Sequence, residues 1–310
     1  MSAGWNRGAD LLVPPADKFA RLMPGEQPSR EARVTKLLSE AQVERFRRDG
    51  YLFPIRATTE EQALSYRRKL EAVETDMGGK LTGAVRHKPH LLFTWLDQIV
   101  HNARILDAVE DLLGPNLLCW ASSFFTKEAR DPAFVSWHQD STYWGLSEPD
   151  VVTAWVALTP STVANGCMRV IPGSHKLDQL PHVDTHAKLN MLSRGQEIQV
   201  TVDESQAVDV ELQPGEISLH HVRLIHGSPP NPSDDRRIGF AVRYVPTHVR
   251  QVLGPRDSAL LVRGQDRHHN FELETRPLAD MHPDAVALHK RVTELHAEIL
   301  YQGTERRAFS

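Results

Sequence analysis

Residues 224–244 read Leu224-Ile-His-Gly-Ser-Pro-Pro-Asn-Pro-Ser-Asp-Asp-Arg-Arg-Ile-Gly-Phe-Ala-Val-Arg-Tyr244, and they carry the strongest indication of the fold. In the last eight residues, bulky apolar side chains occupy every second position, at Ile238, Phe240, Val242 and Tyr244. The positions between them hold arginine or a small residue, at Arg237, Gly239, Ala241 and Arg243. Because successive side chains of a strand point to opposite faces, this pattern predicts a strand with one packed face and one face toward a cavity.

The chain around this stretch has the same β character. From residue 117 onward, short segments rich in β-branched and aromatic residues are separated by Gly, Pro, Asn and Asp. They predict eight strands, near 117–126, 134–138, 151–159, 167–171, 199–201, 207–212, 216–220 and 237–245. Short strands at such intervals favour a sandwich or barrel, and no strand–helix alternation, GxGxxG or Walker motif indicates a parallel nucleotide-binding sheet.

The two ends of the chain have different patterns. Residues 34–116 carry helical periodicity, with a capping box at Ser39 and one short strand at 51–55. The first 33 residues lack periodicity and are predicted to form an irregular arm. The fold class is therefore predicted as mainly β with flanking helices. A single domain over 34–310 would comprise a helical layer at 34–116, a β core at 117–250 and a C-terminal helix at 284–301.

Composition narrows the function. With 40% hydrophobic and 25% charged residues, the chain has the mix of a globular protein, which excludes a disordered or fibrous one. The formal net charge is -4 and there is no basic run, so no nucleic-acid partner is expected. No apolar run is long enough for a membrane span. The two cysteines, Cys119 and Cys167, suit buried positions in a reducing compartment, and a cytoplasmic location is expected.

A candidate metal site lies in Trp137-His138-Gln139-Asp140. In a strand, His138 and Asp140 point to the same face while Gln139 points away. A third ligand is available downstream at His226, which completes two histidines and one carboxylate, the facial triad typical of non-haem Fe(II) oxygenases. The chain has 16 histidines, and a histidine-x-aspartate pair alone is weak evidence. The competing histidines at 220 and 221 are interpreted as structural.

An arginine follows this candidate triad. Arg237 lies on the cavity face of the strand, among small residues that leave room around its guanidinium. The planar guanidinium suits bidentate binding of a carboxylate. Arg236 lies on the packed face by parity and is the weaker candidate.

The four motifs WHQDSTYWG, TAWVAL, NGCMRVIPGSHK and LIHGSPPNPSDDRRIGFAVRY together resemble the phytanoyl-CoA dioxygenase family of Fe(II)/2-oxoglutarate oxygenases, over roughly residues 40 to 270. The resemblance implies a double-stranded β-helix, a cupin-like jelly roll, with Fe(II) as the cofactor and 2-oxoglutarate and O2 as cosubstrates. It implies iron binding by His138, Asp140 and His226. It also implies that Arg237 binds the far carboxylate of 2-oxoglutarate with help from Ser228, beside an aromatic wall at Trp155.

The chain departs from the family pattern at one point. Relatives often carry Gln or Asn on the strand entering the ligand loop, to hold the metal-proximal end of 2-oxoglutarate, whereas Ala121-Ser-Ser-Phe-Phe-Thr-Lys127 offers only Ser, Thr and Lys. Halogenating relatives replace the ligand carboxylate by Gly or Ala. The presence of Asp140 therefore implies oxygenation.

The substrate is expected to be a small polar metabolite, since no basic cluster suits the phosphates of coenzyme A. The candidate contacts are Tyr143, Trp144, Lys88, His90 and Arg243. Hydroxylation is the expected outcome, while desaturation, epoxidation and cyclisation use the same chemistry. Two further alternatives stay open, a facial-triad enzyme without 2-oxoglutarate and a cupin-like binding protein without turnover. The sequence determines neither the substrate nor the oligomeric state.

Overall fold

The computed structural model describes residues 35–81 and 83–302. The predicted N-terminal arm at 1–33, the proposed domain start at 34 and the final residues 303–310 lie outside the described residues. The α-helices of the described part are α1 (Glu40–Asp49), α2 (Glu60–Asp76), α3 (Thr94–Val100), α4 (Ala103–Leu113) and α5 (Pro283–Leu300). None of them is both long and apolar enough to cross a membrane.

Most of the strands are short, and the two longest lie side by side in the larger sheet. In chain order they are β1 (Tyr51–Arg56), β2 (Leu117–Lys127), β3 (Val135–His138), β4 (Val152–Ala157), β5 (Met168–Val170), β6 (His182–Asp184), β7 (Gln196–Ile198), β8 (Val208–Val210), β9 (Glu216–His221), β10 (His226–Ser228), β11 (Arg237–Pro246), β12 (Ser258–Arg263) and β13 (Glu272–Leu273).

Two sheets enclose the core. The larger has seven strands in the order β1-β9-β4-β11-β2-β12-β13, and the smaller has four in the order β3-β10-β5-β8. Strands β6 and β7 form a separate hairpin. From β2 to β5, and again from β8 to β11, neighbours along the chain lie in opposite sheets, so β3 and β4, or β10 and β11, face each other across the interior. This architecture is the double-stranded β-helix that the resemblance implied.

The long strand β11 separates the two sides of the larger sheet. Its bulky residues Ile238, Phe240, Val242 and Tyr244 are fully buried in the main apolar cluster, which also contains residues of α3 and α4. The Tyr244 hydroxyl donates to the Val100 carbonyl, 2.9 Å away. Truncating a buried aromatic such as Phe240 to Ala costs about 3–5 kcal/mol. The helical layer therefore holds this face of β11 in place and leaves the other face to the interior of the β-helix.

Several strand boundaries differ from the sequence prediction. The strand predicted at 199–201 lies three residues earlier, as β7, and four strands were not predicted: β6, β10, β12 and β13. The larger sheet also extends beyond 117–250, because β1 pairs with β9 and β12 pairs with β2. The strands β6, β10 and β13 have only two or three residues, too few to show an alternation in the sequence, and β12 carries a continuous apolar run without alternation, so its pairing with β2 identifies it.

Candidate metal and cosubstrate site

The predicted ligands converge where the smaller sheet meets the following loop. His138 ends β3, His226 begins β10, and the two are directly paired across the sheet. Asp140 follows two residues after β3, with its Oδ1 3.4 Å from His138 Nε2. One ligand atom from each of the three residues lies within 4.8 Å of the others. The arrangement could hold one metal ion with open positions on one side.

Hydrogen bonds orient both imidazoles toward this centre. Nδ1 of His138 lies 2.9 Å from the Ser136 carbonyl, and Nδ1 of His226 lies 2.9 Å from the Leu224 carbonyl. A carbonyl only accepts, so each Nδ1 carries the proton and donates it. Nε2 of each ring is thereby left as the lone-pair donor for a metal.

The electrostatics favour the ligand forms of these groups. Burial would raise the pKa of the Asp140 carboxyl, but the neighbouring His138 and His226 side chains and the positive charge of Arg243 hold that pKa well below its usual range. Burial lowers the pKa of His226 well below its ordinary value. A carboxylate beside neutral imidazoles is the protonation state that binds a divalent cation.

Gln139 anchors the ligand loop from behind, as strand parity predicts. Its side chain is completely buried. Its Nε2 donates to the Arg223 carbonyl at 2.9 Å, and its Oε1 accepts from the Leu180 backbone N–H at 2.8 Å. These bonds fix the backbone between His138 and Asp140, which preorganises the pair.

A second group of side chains lies on the cavity face of β11. Arg237 is 2% exposed, its Nε is buried without a hydrogen-bond partner, and its guanidinium lies 5.4 Å from the ring centroid of Trp155. Burial lowers its pKa to about 10. A methyl group at Gly239 would lie 1.8 Å from the Trp155 ring, so only glycine admits this packing. Arg237 and Trp155 therefore lie side by side on the cavity face of the sheet.

Lys127 is the residue of this group that sequence reasoning missed as a binding candidate. It is paired directly with Arg237 across β2 and β11, and its Nζ donates to Ser228 Oγ at 2.6 Å. Burial and the charge of Arg237 lower its pKa to about 6. Among the described residues, no carboxylate forms an ion pair with Lys127 or Arg237. The signal was present in the sequence as a lysine at the end of a strand, but its position opposite Arg237 depends on the strand register.

One cavity of about 40 Å³ joins the two groups. Its walls include the three candidate ligands, Ser228 and Trp155, with Arg237 and Arg243 also lining it. His220, interpreted as structural from the sequence, lies in the same wall with its ring centroid 5.0 Å from that of His226. It is not one of the three residues whose ligand atoms converge.

Three of the five predicted substrate contacts lie together in the structure. Tyr143, Trp144 and Arg243 line a second chamber next to Asp140. Tyr143 also donates to Asp184 Oδ1 at 2.5 Å, and the Trp144 ring packs 4.9 Å from that of Trp120. Both aromatics thus serve packing as well as lining the chamber.

The predicted contacts Lys88 and His90 both have partners inside the protein. Both side chains are completely buried. Although Lys88 borders the chamber, its Nζ donates to Glu274 Oε1 at 2.6 Å and to the Ser258 carbonyl at 2.8 Å. His90 Nδ1 lies 2.6 Å from Ser122 Oγ. A buried cation needs a counterion, and Glu274 supplies it far along the chain, where sequence spacing gave no indication.

Arg236, the weaker candidate by strand parity, lies outside the cavity. Its guanidinium lies 2.9 Å from carboxylate oxygens of Glu74 and Glu128, at the edge of the sheet. His221 packs its ring 5.2 Å from that of His175. Neither Arg236 nor His221 lines the metal cavity.

Comparison with known proteins identifies the family. Residues 32–239 match the phytanoyl-CoA dioxygenase family model. The chain is 31% identical over 180 residues to a probable alpha-ketoglutarate-dependent hypophosphite dioxygenase of Stutzerimonas stutzeri, a match that covers 57% of this chain and 62% of that relative. The match thus spans less than two thirds of the relative's length.

Two solved structures have the same architecture. The apo form of the non-heme monooxygenase ThoJ is 39% identical, with a TM-score of 0.74 over 84% of this chain and 97% of that one. CytC3 with Fe(II) and alpha-ketoglutarate is 26% identical, with a TM-score of 0.60 over 80% of this chain and 98% of that one. The chain belongs to the phytanoyl-CoA dioxygenase family of non-haem Fe(II)- and 2-oxoglutarate-dependent oxygenases.

Proposed function

We propose that this protein uses Fe(II), 2-oxoglutarate and O2 to hydroxylate an unactivated C–H bond of a small polar metabolite or natural-product intermediate. One observation carries the proposal. The convergent residues His138, Asp140 and His226 share a single cavity with Arg237, a buried guanidinium that lacks a carboxylate partner among the described residues. A metal centre and an unpaired cation in one cavity match a metal-chelating dicarboxylate.

The chain's own residues have distinct roles in this scheme. Nε2 of His138, Nε2 of His226 and a carboxylate oxygen of Asp140 would hold iron on one side, leaving three positions open. Bound Fe(II) and 2-oxoglutarate would supply the oxidising chemistry. The buried imidazoles and the anchored loop hold the ligand atoms ready, so binding requires little rearrangement.

The other end of the cavity suits the far carboxylate of 2-oxoglutarate. Arg237 offers a bidentate fork, and Ser228 lies beside it in the cavity wall. Since Lys127 already donates to Ser228 Oγ, the hydroxyl proton of Ser228 is free to donate to a bound carboxylate. Trp155 closes the wall. Together these residues would set the orientation of the cosubstrate relative to the metal.

Hydroxylation is favoured over halogenation because the Asp140 carboxylate would occupy the position a halide needs. A small substrate is supported by the chamber beside Asp140, which has a volume of about 100 Å³. The relative named for hypophosphite acts, by its name, on a small polar anion. We also propose a cytoplasmic location, which is supported by two buried free cysteines, Cys119 and Cys167.

The His226→Ala variant tests the assignment. The unmodified protein, reconstituted with Fe(II) without O2, should bind one iron per chain and form succinate from 2-oxoglutarate when O2 is admitted. His226→Ala should lose most of the iron and all succinate formation, because the facial triad is broken. His221→Ala is the matched control and should keep both. Full iron content and activity in His226→Ala, or iron loss in His220→Ala alone, would contradict the assignment.

A further inference from the structure

A second chamber adjoins the metal cavity on the side away from Arg237. The two share wall residues at Phe125, Asp140 and Arg243. The chamber has a volume of about 100 Å³ and extends between Trp144 and Arg86. A molecule bound in it would lie directly beside the proposed iron ligands.

The charge of this chamber is unbalanced. Its cationic groups are Arg86 and Arg243, in addition to Lys88, whose ammonium is paired with Glu274. Among the described residues that line it, Asp140 is the single carboxylate, and that carboxylate is assigned to iron. With Asp140 bound to iron, two arginines and no free carboxylate would face the chamber. This excess of positive charge favours an anionic ligand.

Arg243 projects into the junction of the two cavities. It is 8% exposed, and its Nη1 donates to Ser123 Oγ at 2.5 Å. Its Nε is buried without a hydrogen-bond partner, and no described carboxylate lies within ion-pair distance, Asp140 included. Its guanidinium packs 5.7 Å from the ring centroids of Phe125 and Trp144. The aromatic contacts hold the guanidinium in place, and its Nε–H is left without a hydrogen-bond partner.

Backbone contacts of the next two residues hold Arg86 at the chamber. The following residue, His87, forms an isolated bridge with Ser123, and the Lys88 N–H donates to the Ser122 carbonyl at 2.8 Å. These bonds attach the segment to the part of β2 that β12 does not cover. Arg86 is half-buried there, burial lowers its pKa, and it has no carboxylate partner among the described residues.

An outer cleft leads to the chamber. It has a volume of about 480 Å³ and shares with the chamber Arg86, His87, Phe124 and the residues 191–193. Arg86 therefore lies between the outer cleft and the metal, in the path of an entering molecule. The cleft has carboxylates at Glu74, Glu128 and Asp131. Glu74 and Glu128 are paired with Arg236, and Asp131 accepts from the backbone N–H groups of Glu128 and Ala133, so none of the three forms an ion pair with Arg86.

We propose that the inner chamber binds an acidic group of the substrate, a carboxylate or a similar oxyanion, between the guanidinium groups of Arg86 and Arg243. The proposal rests on the proposed function and adds the substrate's chemical class. Anchoring the acid at Arg243 would hold the neighbouring carbon atoms against the open side of the metal. Neutral analogues would leave both guanidinium groups desolvated and unpaired, so they should be rejected.

The test uses the full-length protein with Fe(II) and saturating 2-oxoglutarate, without O2. The probes are acetate, butyrate and benzoate, each compared with its amide, and binding is followed by calorimetry and by the visible absorption of the Fe(II)–2-oxoglutarate complex. At least one acid should bind at least tenfold more tightly than its amide. Arg86→Gln should remove that preference, Arg86→Lys should retain most of it, and the surface control Arg291→Gln should leave it unchanged.

Measurement of 2-oxoglutarate binding distinguishes a failure of this proposal from a failure of the proposed function. Arg86→Gln should bind 2-oxoglutarate with unchanged affinity. If every acid binds no better than its amide, or if Arg86→Gln keeps the preference, the anion chamber is wrong while 2-oxoglutarate binding still supports the oxygenase. If Arg86→Gln and Arg243→Gln both lose 2-oxoglutarate, these arginines serve the cosubstrate and the proposal is overturned. Failure of the unmodified protein to bind 2-oxoglutarate would instead contradict the proposed function.

Discussion

Two buried lysines of this protein have opposite electrostatic surroundings. Lys88 and Lys127 are both completely buried. Lys88 lies 2.6 Å from Glu274, and although burial alone would lower its pKa, Glu274 and Asp257 raise it above the ordinary value. Lys127 has no carboxylate partner among the described residues, and burial next to Arg237 lowers its pKa to about 6.

The difference shows how to distinguish a structural cation from one that awaits a ligand. A buried charge is costly unless it is paired, so a cation with an internal partner belongs to the scaffold. The Lys88–Glu274 pair joins the segment before α3 to the strand region after β12. Arg237, beside Lys127, has no counter-charge among the described residues, and under the proposed function the anionic cosubstrate would supply it.

Glu274→Gln should have the largest effect on stability. It leaves the Lys88 ammonium buried without its counterion, and breaking such a pair costs about 3–5 kcal/mol. Urea unfolding should show this loss in the free energy of unfolding. Glu272→Gln removes the partner of Arg291 at the surface and should cost about 0–1 kcal/mol. Equal effects of the two substitutions would show that the buried pair is not structural.

Arg237→Lys should have the next largest effect, on cosubstrate binding. Replacing the bidentate fork by a single ammonium should weaken 2-oxoglutarate by about 2 kcal/mol, roughly 30-fold. The dissociation constant is measured without O2 by the visible absorption of the Fe(II) complex. Arg236→Lys, one residue away but paired with Glu74 and Glu128, should leave this constant within about twofold, since it does not line the cavity. Similar weakening by both would mean that the assignment of the two strand faces is wrong.

Lys127→Met should have the smallest effect on the same measurement. Without the amine donor, Ser228 loses its orientation, and 2-oxoglutarate should bind about 1 kcal/mol more weakly, roughly fivefold. The free energy of unfolding should stay level or rise, because a desolvated amine is replaced by an apolar chain of similar length. Iron content should not change. A large loss of stability would place Lys127 with Lys88 among the structural cations.

The sequence predicted best the relations between residues that are close together in the chain. The alternation in β11 identifies which side chains share a face, and the structure has Ile238 and Phe240 on the packed side and Arg237 on the cavity side. The spacing of His138 and Asp140 likewise places both toward one centre. These relations are set by local backbone geometry, since β11 is one continuous strand and the chain stays extended through Gln139, between His138 and Asp140.

Relations between distant segments could not be derived in this way. The sequence near Lys88 does not predict its ion pair with Glu274, and the sequence near Lys127 does not predict its position opposite Arg237. The path of the chain decides the first pair and the strand register decides the second. The same holds for Arg86, which lines the second chamber because the next residue, His87, bridges to Ser123 of β2.

Sequence by itself thus determined the family, the fold class and the residues able to hold a metal, since these depend on side-chain chemistry at short fixed spacings. Tertiary structure alone decided which charged groups have partners. Lys88 meets Glu274 across the molecule, whereas Arg243 meets no carboxylate at ion-pair distance among the described residues. The physical reason is that the cost of a buried charge depends on every group within a few ångströms of it, and that neighbourhood is assembled from segments far apart in the chain.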